Sequence, residues 1–248
     1  MKKIAYLTID DSPSKDMTKK IDYLLSKGIP AIWFCRGNLI EKNPDKVIYA
    51  IKKGFIIGNH SYSHPHFSDL TLEECYREIS KCDNLVEEIY EKAGVKRPAK
   101  FFRFPYGDKG GFKKITHFEK FEGEGKVRKE RIQKFLRNLK YVQPNFEGIT
   151  YKYYTVMGLL KDIDCFWTYD IMEYALQNPD KYKKYGIFTF EDVLKRMNRN
   201  EPEKMLGLNY SNSNEIILFH DHESSTKIFA PIIEKLIEKG IIFKLPRI

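Results

Sequence analysis

The stretch at residues 17–35, MTKKIDYLLSKGIPAIWFC, joins a helical pattern of apolar residues to a glycine and a short apolar run. Met17, Ile21 and Leu24 recur at the spacing of one helix face. Gly28 follows where a helix can end in a left-handed residue. The run Ala31–Cys35 is apolar throughout, which is typical of a strand buried on both faces of a sheet. This stretch predicts one helix–strand unit.

The same unit recurs along the chain and leads to apolar runs at residues 55–57, 101–104 and 241–244. Strands that alternate with helices favour a parallel sheet, and motifs at successive strand ends favour a barrel with its site at those ends. The sequence therefore predicts an α/β fold: a distorted, incomplete TIM-like (β/α) barrel of seven or eight strands. We expect residues 1–248 to form a single domain.

The composition excludes several classes of protein. The 248 residues are 42% hydrophobic, and no window approaches eighteen consecutive apolar residues, so no transmembrane helix is expected. The four cysteines have no close spacing that would predict a metal-binding pair. Met1-Lys2-Lys3 leads directly into the first apolar run without room for a signal peptide, which predicts a cytoplasmic protein unless a leader was trimmed.

Two adjacent carboxylates, Asp10 and Asp11, follow the apolar run at residues 4–9. Adjacent carboxylates repel each other and lose hydration when buried, so this pair favours a nearby cation or a proton. One carboxylate can bind a metal while the other takes a proton. A plain turn is the alternative, because Asp, Ser and Pro all favour turns.

Two histidines, His60 and His64, lie four positions apart just after the run at residues 55–57. On a helical turn, residues four apart share one face, so both imidazoles can reach one ion. Together with Asp11 they predict a site of two histidines and one carboxylate that leaves coordination positions open. Hydrogen-bonded structural histidines are the alternative. His66 is expected to have a supporting or surface role.

Five segments complete a pattern that is characteristic of one family. In chain order they are Thr8-Ile9-Asp10-Asp11-Ser12-Pro13, His60-Ser61-Tyr62-Ser63-His64-Pro65, Arg103-Phe104-Pro105-Tyr106, Asp170-Ile171-Met172-Glu173-Tyr174 and Leu218-Phe219-His220. With these motifs the chain resembles the polysaccharide deacetylases, the NodB-homology domains of carbohydrate esterase family four. The resemblance runs from Ile4 to about Pro246 and is interrupted between residues 107 and about 150.

The resemblance implies a metal-dependent hydrolase that removes N-acetyl groups from an amino-sugar-containing glycan or glycan precursor. Asp11, His60 and His64 would hold one divalent ion; zinc is the first choice, and cobalt, nickel or iron stay open for two nitrogens and one oxygen. The ion would polarise the acetyl carbonyl and activate water. Asp10 would be the base, held by a bidentate contact from Arg103.

The resemblance also implies groups for the departing amine and for the oxyanion. His220 would act as general acid, with Asp170 as the partner that orients its imidazolium, and the backbone N–H of Tyr106 would bind the oxyanion. Trp167 and Tyr174, together with Tyr106, are expected to contact the substrate. His222 matches no motif and is expected to be a loop or rim residue.

Two departures from the family pattern leave the acyl group open. Ser12 stands where the family usually has glycine, and Glu173-Tyr174 stands where it usually has Asp-Trp. A deformylase or another amide hydrolase unrelated to carbohydrate therefore remains an alternative. A non-catalytic glycan-binding relative is a more distant one, because the proposed base, acid and metal ligands are all present.

The segment at residues 107–150 is longer than one strand–helix unit needs and carries 11 lysines and arginines against 6 acidic residues. Its second half predicts a helix at residues 127–139, and its first half, residues 109–126, predicts a mobile flap. A substrate-contacting lid and an inert surface insertion are both open. The charge, with Lys113, Lys114, Arg128 and Lys129 as candidates, favours a phosphorylated or lipid-linked carbohydrate, or peripheral contact with an anionic membrane. No nucleic-acid motif is present, so no nucleic-acid partner is expected.

Overall fold

A computed structural model describes residues 3–111, 123–200 and 207–248. In these ranges the strands are β1 (Lys3–Ser12), β2 (Ala31–Cys35), β3 (Ile56–Asn59), β4 (Tyr169–Asp170), β5 (Glu215–His220) and β6 (Ile241–Phe243). The sheet order is β3-β2-β1-β5-β4, with β6 paired to β1, and these strand pairs are parallel. The parallel α/β fold predicted from the sequence is confirmed.

The helices of the described ranges lie between these strands as the alternating pattern predicts. They are α1 (Met17–Ser26), α2 (Gly37–Ile40), α3 (Pro44–Lys52), α4 (Leu72–Ala93), α5 (Gly123–Asn138), α6 (Lys152–Val156), α7 (Pro179–Tyr182), α8 (Phe190–Met197) and α9 (Thr226–Glu238). The apolar stripe of α1 is buried, and Gly28 adopts the left-handed conformation, φ 64°, that ends the unit. No helix in these ranges is both long and apolar enough to cross a bilayer.

Beyond β3 the sheet continues through irregular chain. Phe102 forms a single parallel bridge with Asn59, and the N–H of Cys165 donates to the carbonyl of Phe102 at 2.9 Å. The N–H of Thr168 then donates to Ile216 in β5 at 2.9 Å. These contacts run from β3 round to β5, which fits a distorted barrel. Regular strands in the described ranges number six, because these segments make an isolated bridge or single hydrogen bonds where further strands were predicted.

Alternate side chains of the strands enter different parts of the core, as a period of two requires. Tyr6, Ile32 and Ile216 pack in one cluster, whereas Leu7 and Trp33 pack in another that includes residues of the surrounding helices. Trp33 is fully buried, as the apolar run Ala31–Cys35 predicts for a strand buried on both faces. The single-domain organisation over residues 1–248 stays a prediction.

The helix predicted in the second half of the basic segment is α5. Ile132 and Leu136 on α5 are buried with Phe102, so this helix packs on the body of the fold. Arg128 donates to the carbonyls of Gly110 and Phe67 at 2.7 and 3.0 Å. The flap predicted for the first half includes residues 112–122, which lie outside the described residues.

Candidate active site

The carboxyl ends of β1, β4 and β5 place acidic and imidazole side chains around one cavity of about 490 Å³. In a regular strand adjacent side chains alternate between faces, yet Asp10 and Asp11 both border this cavity. The register of β1 against β2 shifts between Ile9 and Ser12, and Asp11 has φ 60°. An irregularity of this kind re-aims side chains. It explains how both carboxylates reach one site.

His60 and His64 also meet at the cavity, but the helical turn predicted for them is wrong. Ser61 and His64 have φ of 62° and 65°, and the backbone N–H groups of the turn are satisfied by side chains instead of helical carbonyls. The side-chain oxygen of Asn59 accepts from the N–H of Ser61 at 2.8 Å, and the hydroxyl of Ser61 accepts from the N–H of His64 at 3.0 Å. The two Nε2 atoms still approach to 3.2 Å.

The donor set of Asp11, His60 and His64 fits a divalent metal. Ligands placed tetrahedrally about 2.0–2.1 Å from zinc lie roughly 3.3 Å from one another. The two Nε2 atoms are 3.2 Å apart, and Oδ1 of Asp11 lies 3.4 Å from Nε2 of His64. That Oδ1 is buried and has no hydrogen-bond partner among the described residues. A buried oxygen beside imidazole nitrogens, without a hydrogen-bond donor, is a position that a cation satisfies.

Both imidazoles are placed for metal binding. Nδ1 of His60 donates to the carbonyl oxygen of Arg103 at 2.8 Å, which leaves Nε2 as the ring nitrogen that faces the donor set. Burial, together with the neighbouring His60, lowers the pKa of His64 to about 3. His64 is therefore neutral near pH 7, as a metal ligand must be.

Asp10 is buried, 2% exposed, and pairs with the fully buried Arg103. Nη1 of Arg103 donates to Oδ1 of Asp10 at 2.8 Å and to the hydroxyl of Thr8 at 2.7 Å. The bidentate contact predicted from the sequence is wrong, because Nε of Arg103 instead donates to the carbonyl of Cys165 at 2.5 Å. The pair nevertheless fixes the Asp10 carboxylate, whose Oδ2 lies 3.5 Å from Nε2 of His60.

His220 lies at the end of β5 and borders the same cavity, but its direct partner differs from the predicted one. Oε1 of Glu173 lies 3.0 Å from Nδ1 of His220 and accepts from its backbone N–H at 2.7 Å. A carboxylate oxygen of Asp170 lies within 4.8 Å of a ring nitrogen of His220. Asp170 accepts hydrogen bonds from the backbone N–H of Met172 and from the hydroxyl of Tyr174. The orienting contact predicted for Asp170 is therefore made by Glu173, which lies one short turn later in the chain.

The charge of Glu173 sets the protonation of His220. Burial lowers the pKa of His220, but the carboxylates of Glu173, Asp170 and Asp11, with Glu173 contributing most, together outweigh burial and raise the pKa to about 10. His220 is therefore an imidazolium across the neutral range. Nδ1 is taken by Glu173, so Nε2–H remains as the donor for a bound molecule.

The three predicted substrate residues, Tyr106, Trp167 and Tyr174, all border the cavity. Tyr106 is 58% exposed and its ring stacks on His66 at 4.0 Å. Its backbone is left-handed, φ 58°, which costs about 1–2 kcal/mol for a residue with a side chain. Asp11 and His64 share this conformation, so backbone strain is concentrated at the site.

Three further residues at the cavity were missed or underrated by the sequence. His222 was expected only at the rim, yet its Nε2 lies 3.5 Å from Oδ2 of Asp11. Arg36 and Lys181 also border the cavity. Arg36 follows β2, and the rule that sites lie at the carboxyl ends of parallel strands could have singled it out. Lys181 lies on α7, where no sequence signal marked it.

Comparisons with known proteins agree with this geometry. A family model described as polysaccharide deacetylase matches residues 1–115, which contain the donor set, Asp10 and Arg103. A peptidoglycan-N-acetylglucosamine deacetylase of Bacillus cereus is 38% identical over 103 residues, or 41% of this chain and 36% of that protein. The chain therefore spans about a third of the length of this curated relative.

Two solved structures share the fold over 98% of this chain. The T48 deacetylase with substrate has a TM-score of 0.61 at 22% identity and is covered over 88% of its length. A family-four carbohydrate esterase pseudoenzyme from Bacillus anthracis has a TM-score of 0.61 at 18% identity and is covered over 63%. At these identities the likeness shows the fold alone, and the fold is shared by a protein described as a deacetylase and by one described as a pseudoenzyme.

Proposed function

Because the chain belongs to the polysaccharide deacetylase family, we propose that it is a metal-dependent hydrolase that removes N-acetyl groups from an amino-sugar-containing glycan or glycan precursor. One observation carries the proposal. A single cavity is bordered by the donor set of Asp11, His60 and His64, by Asp10, and by His220. Amide hydrolysis needs an activated water, a stabilised oxyanion and a proton for the amine, and these groups can supply them.

A divalent ion held by the donor set would act as a Lewis acid on the acetyl carbonyl and make a water molecule more acidic. Asp10 accepts the proton of the attacking water. Arg103 holds Asp10 in place through Nη1 and keeps its carboxylate oriented while it receives that proton. Zinc is proposed first, supported by the ligand spacing of 3.2 and 3.4 Å; cobalt, nickel and iron take similar donors.

His220 donates a proton from Nε2 to the departing amine, while Glu173 stabilises the imidazolium at Nδ1. The backbone N–H of Tyr106 binds the oxyanion of the tetrahedral species. Tyr106, Trp167 and Tyr174 form the cavity walls that contact the sugar and its acyl group. Aromatic walls suit a sugar ring because they offer apolar faces and few competing polar groups.

A formyl or other small acyl group is the second candidate, and one observation favours it. Tyr174, which stands where the family usually has tryptophan, donates its hydroxyl to Asp170 at 3.1 Å. A polar group in that wall gives an acetyl methyl group less apolar contact. A non-catalytic glycan-binding protein is disfavoured, because such a protein has no need of the buried Asp10–Arg103 pair or of the charged His220–Glu173 pair.

The described cations of the basic segment do not support the anionic carbohydrate that was predicted from its charge. Arg128 is bound to backbone carbonyls, and Lys129 lies 3.3 Å from Asp162, so these two cations serve the packing of α5. Lys113 and Lys114 lie outside the described residues. A phosphorylated or lipid-linked substrate remains part of the proposal. The cytoplasmic location and peripheral membrane contact stay predictions, which cell fractionation would check.

The test is acetate release from a panel of N-acetylated sugars, nucleotide-sugars and lipid-linked glycans by purified, zinc-loaded protein. We expect release that is lost in Asp10→Asn and on addition of a chelator. Formate release from formylated analogues, with no acetate, would move the assignment to the second candidate. Binding of these sugars with no acyl release by the zinc-loaded protein would contradict the enzymatic assignment.

A further inference from the structure

Arg36 borders the cavity with most of its hydrogen-bonding capacity unused. A guanidinium carries five N–H donors. Among the described residues, Nη2 of Arg36 makes one long contact, 3.4 Å to the carbonyl of Ser63, and Nε is buried without any partner. Nη1 lies 3.7 Å from Oδ1 of Asp11, which is too long for a hydrogen bond. A buried donor without an acceptor is costly, so this arginine can gain an acceptor from a bound molecule that the described residues do not provide.

Lys181 is a second cation at the same cavity. It lies on α7 and is exposed, and its Nζ is 5.2 Å from the centre of the Tyr182 ring. No carboxylate in residues 3–111, 123–200 or 207–248 lies within ion-pair distance of it. Two cations on the walls of one cavity therefore have no counter-ion at hydrogen-bonding distance in the part of the chain that the structure describes.

None of the carboxylates that border the cavity hydrogen-bonds to Arg36 or Lys181. Asp10 is paired with Arg103 at 2.8 Å. Asp11 faces the imidazoles of the donor set and of His222, and Asp170 accepts from a backbone N–H and from Tyr174. Apart from the donor set and Nε2–H of His220, which the proposed reaction uses, the charged side chains at the cavity with spare capacity for a ligand are thus Arg36 and Lys181. Cavities focus the field of such charges and raise the local concentration of anions.

We propose that Arg36, with Lys181 as a second cation, forms an anion subsite that selects N-acetylated sugars bearing a phosphate or carboxylate group. The inference rests on the proposed function, whose substrate class it narrows. The planar fork of arginine matches both oxyanions in a bidentate manner, whereas a neutral sugar hydroxyl cannot supply a counter-charge. The subsite lies beside the donor set, so the anionic group is carried on the sugar that bears the acyl group or on its direct neighbour.

The experiment measures binding without turnover. Zinc-loaded Asp10→Asn protein is titrated by calorimetry with N-acetylglucosamine 1-phosphate, N-acetylmuramic acid and neutral N-acetylglucosamine. The quantity of interest is the affinity for each anionic sugar divided by the affinity for the neutral one. The same ratios are measured with Arg36→Gln or Lys181→Gln added. Lys184→Gln is the matched control, because Lys184 lies three residues from Lys181, is exposed and does not border the cavity.

We expect Arg36→Gln to lower at least one ratio by roughly 10- to 100-fold, the effect of losing a charge-assisted contact. Lys181→Gln should lower it by about 2- to 5-fold, as an exposed charge does, and Lys184→Gln should leave it within about 2-fold. If the affinity ratio falls only for the sugar phosphate, or only for the sugar carboxylate, that result identifies the anion. Zinc content per chain is measured in every variant to show that the donor set is retained.

An equal loss of affinity for neutral and anionic sugars would overturn the inference, because Arg36 would then only position Asp11. Unchanged ratios, or no binding of any anionic sugar, would overturn it as well. These results are separable from the fate of the proposed function. If the protein releases acetate from neutral sugars but the affinity ratios do not change in the Arg36 and Lys181 variants, the anion subsite is refuted and the proposed reaction stands. If the affinity ratios change but no acyl group is released, the proposed reaction is refuted and the anion subsite stands.

Discussion

Replacing Glu173 by glutamine tests the acid of the proposed mechanism most directly. The change keeps the size of the side chain and an oxygen that can accept from the backbone N–H of His220, so the local fold should persist. It removes the negative charge 3.0 Å from Nδ1 of His220. Burial lowers the pKa of His220, and that charge is the largest of the contributions, with those of Asp170 and Asp11, that raise the pKa to about 10. Without it, we expect the pKa to return to about 6.5 or below.

The size of the effect follows from the protonated fraction of His220. With a pKa of about 6.5, roughly a quarter of the molecules carry the imidazolium at pH 7 and about 3% at pH 8. An acid that must be protonated would then cut kcat/KM by roughly 4-fold at pH 7 and 30-fold at pH 8. In the wild-type protein the deprotonation of His220 should lower kcat/KM only when the pH approaches 10.

The assay is kcat/KM for acyl release between pH 6 and pH 10 at saturating metal, for wild type, Glu173→Gln and Asp170→Asn. An unchanged basic limb in Glu173→Gln would refute the assignment of Glu173 as the group that sets the charge of His220. A larger shift in Asp170→Asn than in Glu173→Gln would restore the sequence-based choice of Asp170. Zinc content is the control, since neither residue belongs to the donor set.

The same pair predicts how stability depends on pH. The pKa of His220 is raised in the folded protein above its unfolded value near 6.5, so its contribution is fully present below pH 6.5 and is lost as the pH rises through about 10. The difference in unfolding free energy between wild type and Glu173→Gln should therefore shrink from pH 6 to pH 10. Urea unfolding at the two pH values measures it, and a difference that grows would contradict the sign.

Three further substitutions probe the surroundings of the site. His222→Gln should weaken zinc binding by about 10-fold, since its imidazole contacts Asp11 outside the donor set, and competition with a chromophoric chelator measures this. Lys20→Met should cost about 3–5 kcal/mol of unfolding free energy, because it leaves Asp221 buried without the cation 2.5 Å away; a cost near zero in urea unfolding would contradict this. Arg128→Gln should lower the unfolding free energy by about 1–3 kcal/mol, because the contacts of Arg128 with backbone carbonyls are lost. The preference for anionic sugars should not change. A changed preference would indicate that α5 contacts the substrate.

Local patterns in the sequence carried much of the fold and the identity of the reactive groups. The periodicity of residues 17–35 predicted α1 and β2, and the capping-box spacing of Thr71 and Glu74 marks the start of α4. Such patterns can be recognised in a sequence because they involve residues only a few positions apart. This holds for the burial of one helix face and for the hydrogen bonds that satisfy the free backbone N–H groups at a helix start. The donor set was equally accessible, since its three members lie beside the strands whose ends meet at one edge.

The tertiary structure decided which groups act on one another. Glu173 and Asp170 lie three residues apart, and only the turn between them determines which carboxylate meets the ring of His220 on another strand. The bulge in β1 that brings Asp10 and Asp11 to one cavity depends on the register against β2. Arg36 and Lys181 are far apart in sequence and border one cavity because β2 and the segment after β4 end at the same edge of the sheet. The identities of the reactive side chains and their local patterns can thus be read from the sequence. Which side chains pair across strands depends on distances that only the folded chain defines.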